Sequence, residues 1–285
     1  MRTRAPARVW LVDKPEGPTS HDIVTRARRR LGRKVKVGHA GTLDPFATGL
    51  LIVLVGKATR LSRYLTDLDK TYIAGVALGT RSESGDTEGP FTPGGDVPAE
   101  ESIAAAVRAM AGVSDQEVPA LSAVKVDGER LYRRTRRGEV VDERPRREIT
   151  ISSVRALDLT SDRRLLTLEL SVSKGTYIRQ VATDLGETLG CGGYCASLRR
   201  TRIGSLTVDH AHDIDDLELG LGLRPHEALS HLPRRDLDAD EAGRVSHGST
   251  LEGGEEGSVV LTHGDETVAV ARGDGTTLRP EVVLV

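Results

Sequence analysis

The stretch GHAGTLDPFATGLL, residues 38–51, holds one carboxylate, Asp44, set between Leu43 and Pro45 with His39 upstream. No second acid, cysteine or serine stands beside it within the stretch. The usual glycosidase device needs two carboxylates, so this stretch cannot supply it. Asp-Pro also opens turns, and on local pattern alone the chemical and the turn reading both stand. Two features favour chemistry. Pro45 confines Asp44 to extended backbone, which fixes the direction of its carboxylate. The flanking glycines let another chain, such as a nucleic-acid backbone, approach closely.

Other chemistries fall away. GLLIVLVGKAT, residues 49–59, lacks the glycine spacing of a phosphate loop, and Ala58 follows Lys57 where a hydroxyl would hold magnesium. There is no HExxH, no G-x-S-x-G and no dinucleotide fingerprint. Cys191 and Cys195 are the only cysteines, and without two further ligands nearby they make a poor zinc site. Reduced structural thiols are expected, and no metal.

Charge points to the partner. Residues 209–285 carry 17 acids against six cations, a net of −11, whereas residues 1–208 net +9. Such a split implies a polyanion for the first part and a separate acidic module behind it. The run RARRRLGRKVK, 26–36, has seven cations in eleven residues, and a second cluster runs through 128–147. Only seven of the 40 cations are lysines, and arginine's planar fork suits phosphate oxygens. No apolar run reaches the roughly 18 residues of a membrane span, and the N-terminal residues lack a secretory core, so a cytoplasmic protein is expected.

These residues need elements to hold them. VWLVDKP reads as a short strand. Ser20 is the expected N-cap of a helix whose Ile23, Val24, Ala27 and Leu31 share a face, with Gly32 closing it. LLIVLV, 50–55, is short enough for a buried strand, and KTYIAGVALGT, 70–80, leads from another strand into a polar loop. A helix is expected over about 99–111, a strand at LSAVKV, and a helix in ERLYRRTRRG. Leu166, Leu168, Leu170 and Val172 alternate as a half-buried strand, and Ile178, Val181, Ala182, Leu185 and Leu189 keep helical spacing. Arg179 therefore lies in the first turn of a helix just after a strand, where it can reach a cleft at a sheet edge. Residues 212–235 read as a link, and short β-branched runs from 236 onward read as a small β module.

Five segments in order, LVDKPEGPTSHDIV, KVGHAGTLDPFATGLLIVLVGKATRLSRYL, DKTYIAGVALGTRSESGDTEG, VSKGTYIRQVATDLG and LRRTRIG, resemble the TruB family of tRNA pseudouridine synthases over most of residues 8–206. The resemblance implies an isomerase that converts uridine 55 in the T-loop of tRNA to pseudouridine, with tRNA as partner and no coenzyme. It implies Asp44 as nucleophile, Arg179 as its salt-bridge partner, and Tyr72 stacking on a flipped base. In the same way His39 matches the histidine that helps hold the everted T-loop, and Tyr177 and Leu198 line the uracil pocket. Lys14 matches the lysine of the DKP opening, an architectural or phosphate-directed group counted with the substrate-binding residues. The implied fold is α/β (α+β). It has a mixed, largely antiparallel catalytic sheet with a central cleft over 1–225, an RNA-gripping insertion at 119–147, and a PUA-like β domain at 230–285. An accessory tRNA-folding activity and a monomeric state are also expected.

Overall fold

The computed structural model describes residues 6–32, 34–120, 122, 124–126, 128–131, 134, 137, 139, 144–218 and 222–285. The chain divides by packing into two compact units, one formed by Met1–Leu68 with Arg202–Val285 and the other by Asp69–Thr201.

The first unit opens with β1 (Arg8–Lys14), α1 (Ser20–Leu31), β2 (Val37–Ala40), β3 (Thr48–Val55) and α2 (Ser62–Thr66). β3 pairs antiparallel with both β1 and β2, and from Gly49 to Val55 all its residues are buried, as a continuous apolar run predicts. α1 turns Ile23, Val24 and Ala27 inward. Its N-cap is Thr19, not Ser20: Thr19 Oγ1 accepts from the Asp22 N–H at 3.1 Å and the Asp22 carboxylate accepts from the Thr19 N–H at 2.9 Å. That capping box satisfies two helix-start donors reciprocally. Ser20 sits one position inside the helix and is buried, which leaves its hydroxyl for another task.

The second unit holds β4 (Lys70–Leu78), β5 (Thr80–Ser82), β6 (Phe91–Pro93), α3 (Glu100–Ala109), β7 (Gly112–Glu117), β8 (Lys125–Val126), β9 (Glu129–Arg130), β10 (Arg146–Leu159), β11 (Leu165–Val172), α4 (Ile178–Thr188) and most of β12 (Gly193–Ile203). Its main strands run in the order β12-β4-β11-β10-β7. β11 buries Leu166, Leu168, Leu170 and Val172 on one face, the expected alternation. The polar segment after β4, expected as a plain loop, closes on itself as the β5–β6 hairpin. α4 lies so close to β12 that a Cβ at Gly186 would meet the Gly193 nitrogen at 2.1 Å. Much of the 119–147 insertion, including half of the helix expected in ERLYRRTRRG, lies outside the described residues, and the start of that run is strand β9 instead of helix.

The rest of the first unit contains β13 (Leu206–Thr207), α5 (Pro225–Ala228), β14 (Arg234–Asp236), α6 (Ala239–Ser246), β15 (Leu251–Glu252), β16 (Glu256–His263), β17 (Glu266–Asp274) and β18 (Thr277–Val283). Five strands form one sheet in the order β14-β16-β17-β18-β15, parallel only at β14–β16. Continuous burial is confined to the middle of β16 and β17, where Val259–Thr262 and Thr267–Ala271 are all buried. Val260, Val270 and Val282 pack with Val9, Leu50 and Ile52, whereas Val259, Leu261, Ala269 and Ala271 pack with Val245 of α6. The β-rich C-terminal part is as the sequence implied; α5, in the expected link, and α6, inside the module, were not anticipated. Among the described residues no helix is long and apolar enough to cross a membrane.

Candidate active site

Asp44 lies in the connection Gly41–Ala47 between β2 and β3, half-buried between buried Leu43 and Phe46. Its carbonyl accepts from the Ala47 N–H at 3.1 Å, closing a four-residue turn with Pro45 at the second position, where a fixed φ fits. The turn reading is thus realised in the structure, with Asp44 opening the turn.

That turn is held from three sides. The Ser20 hydroxyl donates to the Leu43 carbonyl at 3.0 Å and accepts from the Leu43 N–H at 2.9 Å, the task left to it by the Thr19 cap. The Gly17 N–H donates to the Pro45 carbonyl at 2.9 Å. Lys14, at the end of β1 and 0% exposed, donates from Nζ to the carbonyls of Pro15 (2.8 Å), Pro45 (3.2 Å) and Ala47 (2.7 Å). A buried ammonium needs such acceptors, and here they make Lys14 an anchor of the Asp44 turn. His39 is half-buried on β2, opposite Val53 of β3.

The second unit carries the other expected residues on adjoining elements. Tyr72 lies on β4 opposite Leu170 of β11, 7% exposed, and Leu198 lies on the neighbouring β12, 8% exposed. Tyr177 is the N-cap of α4. The Gln116 carboxamide accepts from its N–H at 2.8 Å and donates to its carbonyl at 3.0 Å, while the Arg147 guanidinium sits 5.6 Å from its ring centroid.

Arg179, in the first turn of α4, is 4% exposed. Its Nη1 donates to the Ser84 carbonyl at 3.0 Å and lies 3.4 Å from Asp86 Oδ2. Asp86 is itself fixed: Oδ1 accepts from the Ser84 hydroxyl at 2.6 Å and from the Glu88 N–H at 3.0 Å, and its carbonyl accepts from the Ser82 hydroxyl at 2.6 Å. Gly85 makes this possible, since its φ is +74° and an added Cβ would touch Arg179. The sequence singled out Arg179, whereas its partner Asp86 and the Tyr177 partner Gln116 enter only with the structure. For Asp86 a signal existed, an acid among serines and a glycine in GTRSESGDTEG; for Gln116 there was none. Cys191 and Cys195 are both buried, and neither is in a disulfide among the described residues.

The TruB family pseudouridylate synthase N-terminal domain matches residues 28–178, and the tRNA pseudouridylate synthase B C-terminal domain matches 179–232. The chain belongs to the TruB family. Its members are pseudouridylate synthases, enzymes of the isomerase class. The tRNA pseudouridine synthase B of Thermobifida fusca is 43% identical over 96% of this chain and 97% of its own. That of Mycobacterium sp. strain KMS is 41% identical over 97% and 95%. Among solved structures, the Cbf5-Nop10-Gar1 complex superposes with a TM-score of 0.74 and 26% identity, over 98% of this chain and 85% of that one. An H/ACA RNP bound to a substrate RNA containing 2′-deoxyuridine follows at 0.73 and 25%, over 98% and 85%. The two TruB spans meet between Ile178 and Arg179, inside the first turn of α4, so that boundary is not a structural one.

Proposed function

We propose that this TruB chain converts uridine 55 in the T-loop of tRNA to pseudouridine, acting in the cytoplasm as a monomer. tRNA as substrate follows from the full-length relatives named tRNA pseudouridine synthase B. In this reading Asp44 is the nucleophile, paired across the site with Arg179, and Tyr72 stacks on the flipped base. His39 helps to hold the everted loop, and Tyr177 and Leu198 line the uracil pocket. The uridine's N1–C1′ bond breaks, the base turns, a C5–C1′ bond forms, and the C5 proton is exchanged for one on N1. Redox state and water are unchanged, so one carboxylate is enough. Extruding the base costs a few kcal/mol, and stacking on an aromatic returns about 1–3 kcal/mol.

The observation that carries the proposal is the clamped Asp44 turn. A nucleophile gains most when its attack direction is fixed before substrate arrives, and Lys14, Ser20 and Gly17 hold the backbone of the turn that carries Asp44. The test is Asp44→Asn with T-arm RNA. Pseudouridine formation disappears while RNA affinity stays within a few fold; undiminished product ends the proposal. Accessory tRNA folding, motivated by the net +9 of residues 1–208, survives in the same variant if folding is driven by binding alone.

A further inference from the structure

The first unit contains a concave feature away from Asp44. A cavity of about 1120 Å³ is bounded by the start of β1, the segment after α1, the β3–α2 connection, the start of α5 and the β16–β17 turn. Six cations line it: Arg8, Lys34, Lys36, Lys57, Arg60 and Arg224. The opposing carboxylates are those of Asp265 and Glu266. Arg224 pairs with Asp265 at 2.8 Å, and Lys57 holds the Val285 oxygen. Arg8 and Arg60 donate to the carbonyls of Ala7 and Val283, at 2.9 Å in each case. Those carbonyls are neutral acceptors and do not cancel the charge of either guanidinium. With Arg224 and Lys57 set aside, Arg8, Lys34, Lys36 and Arg60 still face a single acidic side chain, Glu266, among the described residues. Like charges gathered in a concave, low-dielectric wall focus a positive potential.

Two details narrow the ligand. Three of the chain's seven lysines line this one cavity, in a protein whose other cations are 33 arginines. A lysine ammonium is a point charge on a flexible stem, which grips phosphate without demanding one orientation. No aromatic side chain lines the cavity among the described residues, so it lacks the stacking platform that single-stranded bases require. The combination suits phosphodiester backbone rather than bases. The location matters as well. Lys36 and Gly56 close the end of the β2–β3 hairpin opposite to the Asp44 turn, joined by the Gly56 N–H to the Lys36 carbonyl at 2.8 Å. The eight residues of β3 lie between the two ends, a span of about 25 Å.

We propose that this cavity is a backbone-phosphate site that holds a stem of the substrate RNA about 25 Å from the target nucleotide. The inference rests on RNA being the substrate, as proposed above, and adds a second, sequence-independent contact to it.

The test compares full-length tRNA with a T-arm hairpin, for the wild type and for Lys34→Ala/Lys36→Ala/Arg60→Ala, each first shown to melt as the wild type does. For tRNA the triple variant raises KM about tenfold, leaves kcat within twofold, and makes the dependence of log Kd on log salt shallower by about two. For the hairpin, too short to reach the cavity, nothing changes. Unaltered tRNA affinity and salt slope overturn the proposal. Equal weakening of hairpin and tRNA also overturns it, because the cations would then grip the T-arm itself. Pyrophosphate is the small-ligand arm: if it binds the wild type and not the variant while tRNA affinity is untouched, the cavity serves a small phosphate and the RNA contact is wrong. Should the wild type make no pseudouridine in either RNA, the proposed activity fails, and the tRNA affinities still judge the cavity.

Discussion

The Arg179 guanidinium lies 3.4 Å from the Asp86 carboxylate, and both side chains are buried, 5% and 6% exposed. Breaking a buried ion pair by neutralising one partner costs about 3–5 kcal/mol, because the other charge is left in a poorly solvating place. Asp86→Asn keeps the shape and removes the charge. We expect kcat for pseudouridine formation to fall about 10²-fold, with T-arm affinity within threefold, and the denaturant midpoint to drop. Asp86→Glu recovers part of kcat if the acid positions Arg179. Single-turnover kinetics and a binding titration measure both quantities, and a kcat equal to the wild type's would reduce Asp86 to a structural group.

Lys14 offers a second test, because its ammonium ties β1 to the Asp44 turn through Pro45 and Ala47. Lys14→Met preserves length and buries no charge, yet it takes this donor from the Pro15 and Ala47 carbonyls, at about 1–3 kcal/mol each, while Pro45 keeps the Gly17 N–H. The variant is expected to lose on the order of 3 kcal/mol of stability and about 10²-fold in kcat, with KM little changed. Ser20→Ala, which removes only the Leu43 contact, follows in the same direction by a smaller amount. A Lys14→Met enzyme with wild-type kcat would show that the turn needs no anchor.

Both residues show how far the sequence was legible. Elements with one wet and one dry face declared themselves: the alternation of β11 and the spacing of Ile178, Val181, Ala182 and Leu185 in α4 were readable because burial follows the backbone period. β10 was missed because most of its residues are exposed or half-exposed, so its 14 residues carry no clean alternation. Asp44 and Arg179 were visible through their local settings and through the TruB resemblance. Their supports were not, because they come from elsewhere in the chain. Ser84 lies 95 residues from Arg179, Gln116 lies 61 from Tyr177, and Ala47 lies 33 from Lys14. Ser20 misled for a related reason: a serine at a helix start is the usual cap, but a threonine one position earlier took that role and freed Ser20 for Leu43.

His226 gives a prediction in pH rather than in rate. Its Nδ1 lies 3.1 Å from the Thr267 hydroxyl oxygen, and its backbone N–H donates to the same oxygen at 3.1 Å. That oxygen's own proton is then directed at Nδ1, which accepts only in the neutral imidazole. Burial, chiefly, together with repulsion from Arg234 and Arg224 holds the imidazole below its ordinary value of 6.5, while Glu227 and Asp265 pull the other way. As the pH falls, the unfolded chain takes up this proton first, so stability drops as the pH passes down through about 6.5 and levels off below the folded value. The melting temperature is therefore expected to fall between pH 7.5 and 5, and His226→Gln to fall less steeply over that window. Subtracting the two melting curves isolates this histidine from the other titrating groups. A flat difference between pH 7.5 and 5 would mean that His226 takes up its proton equally well folded and unfolded.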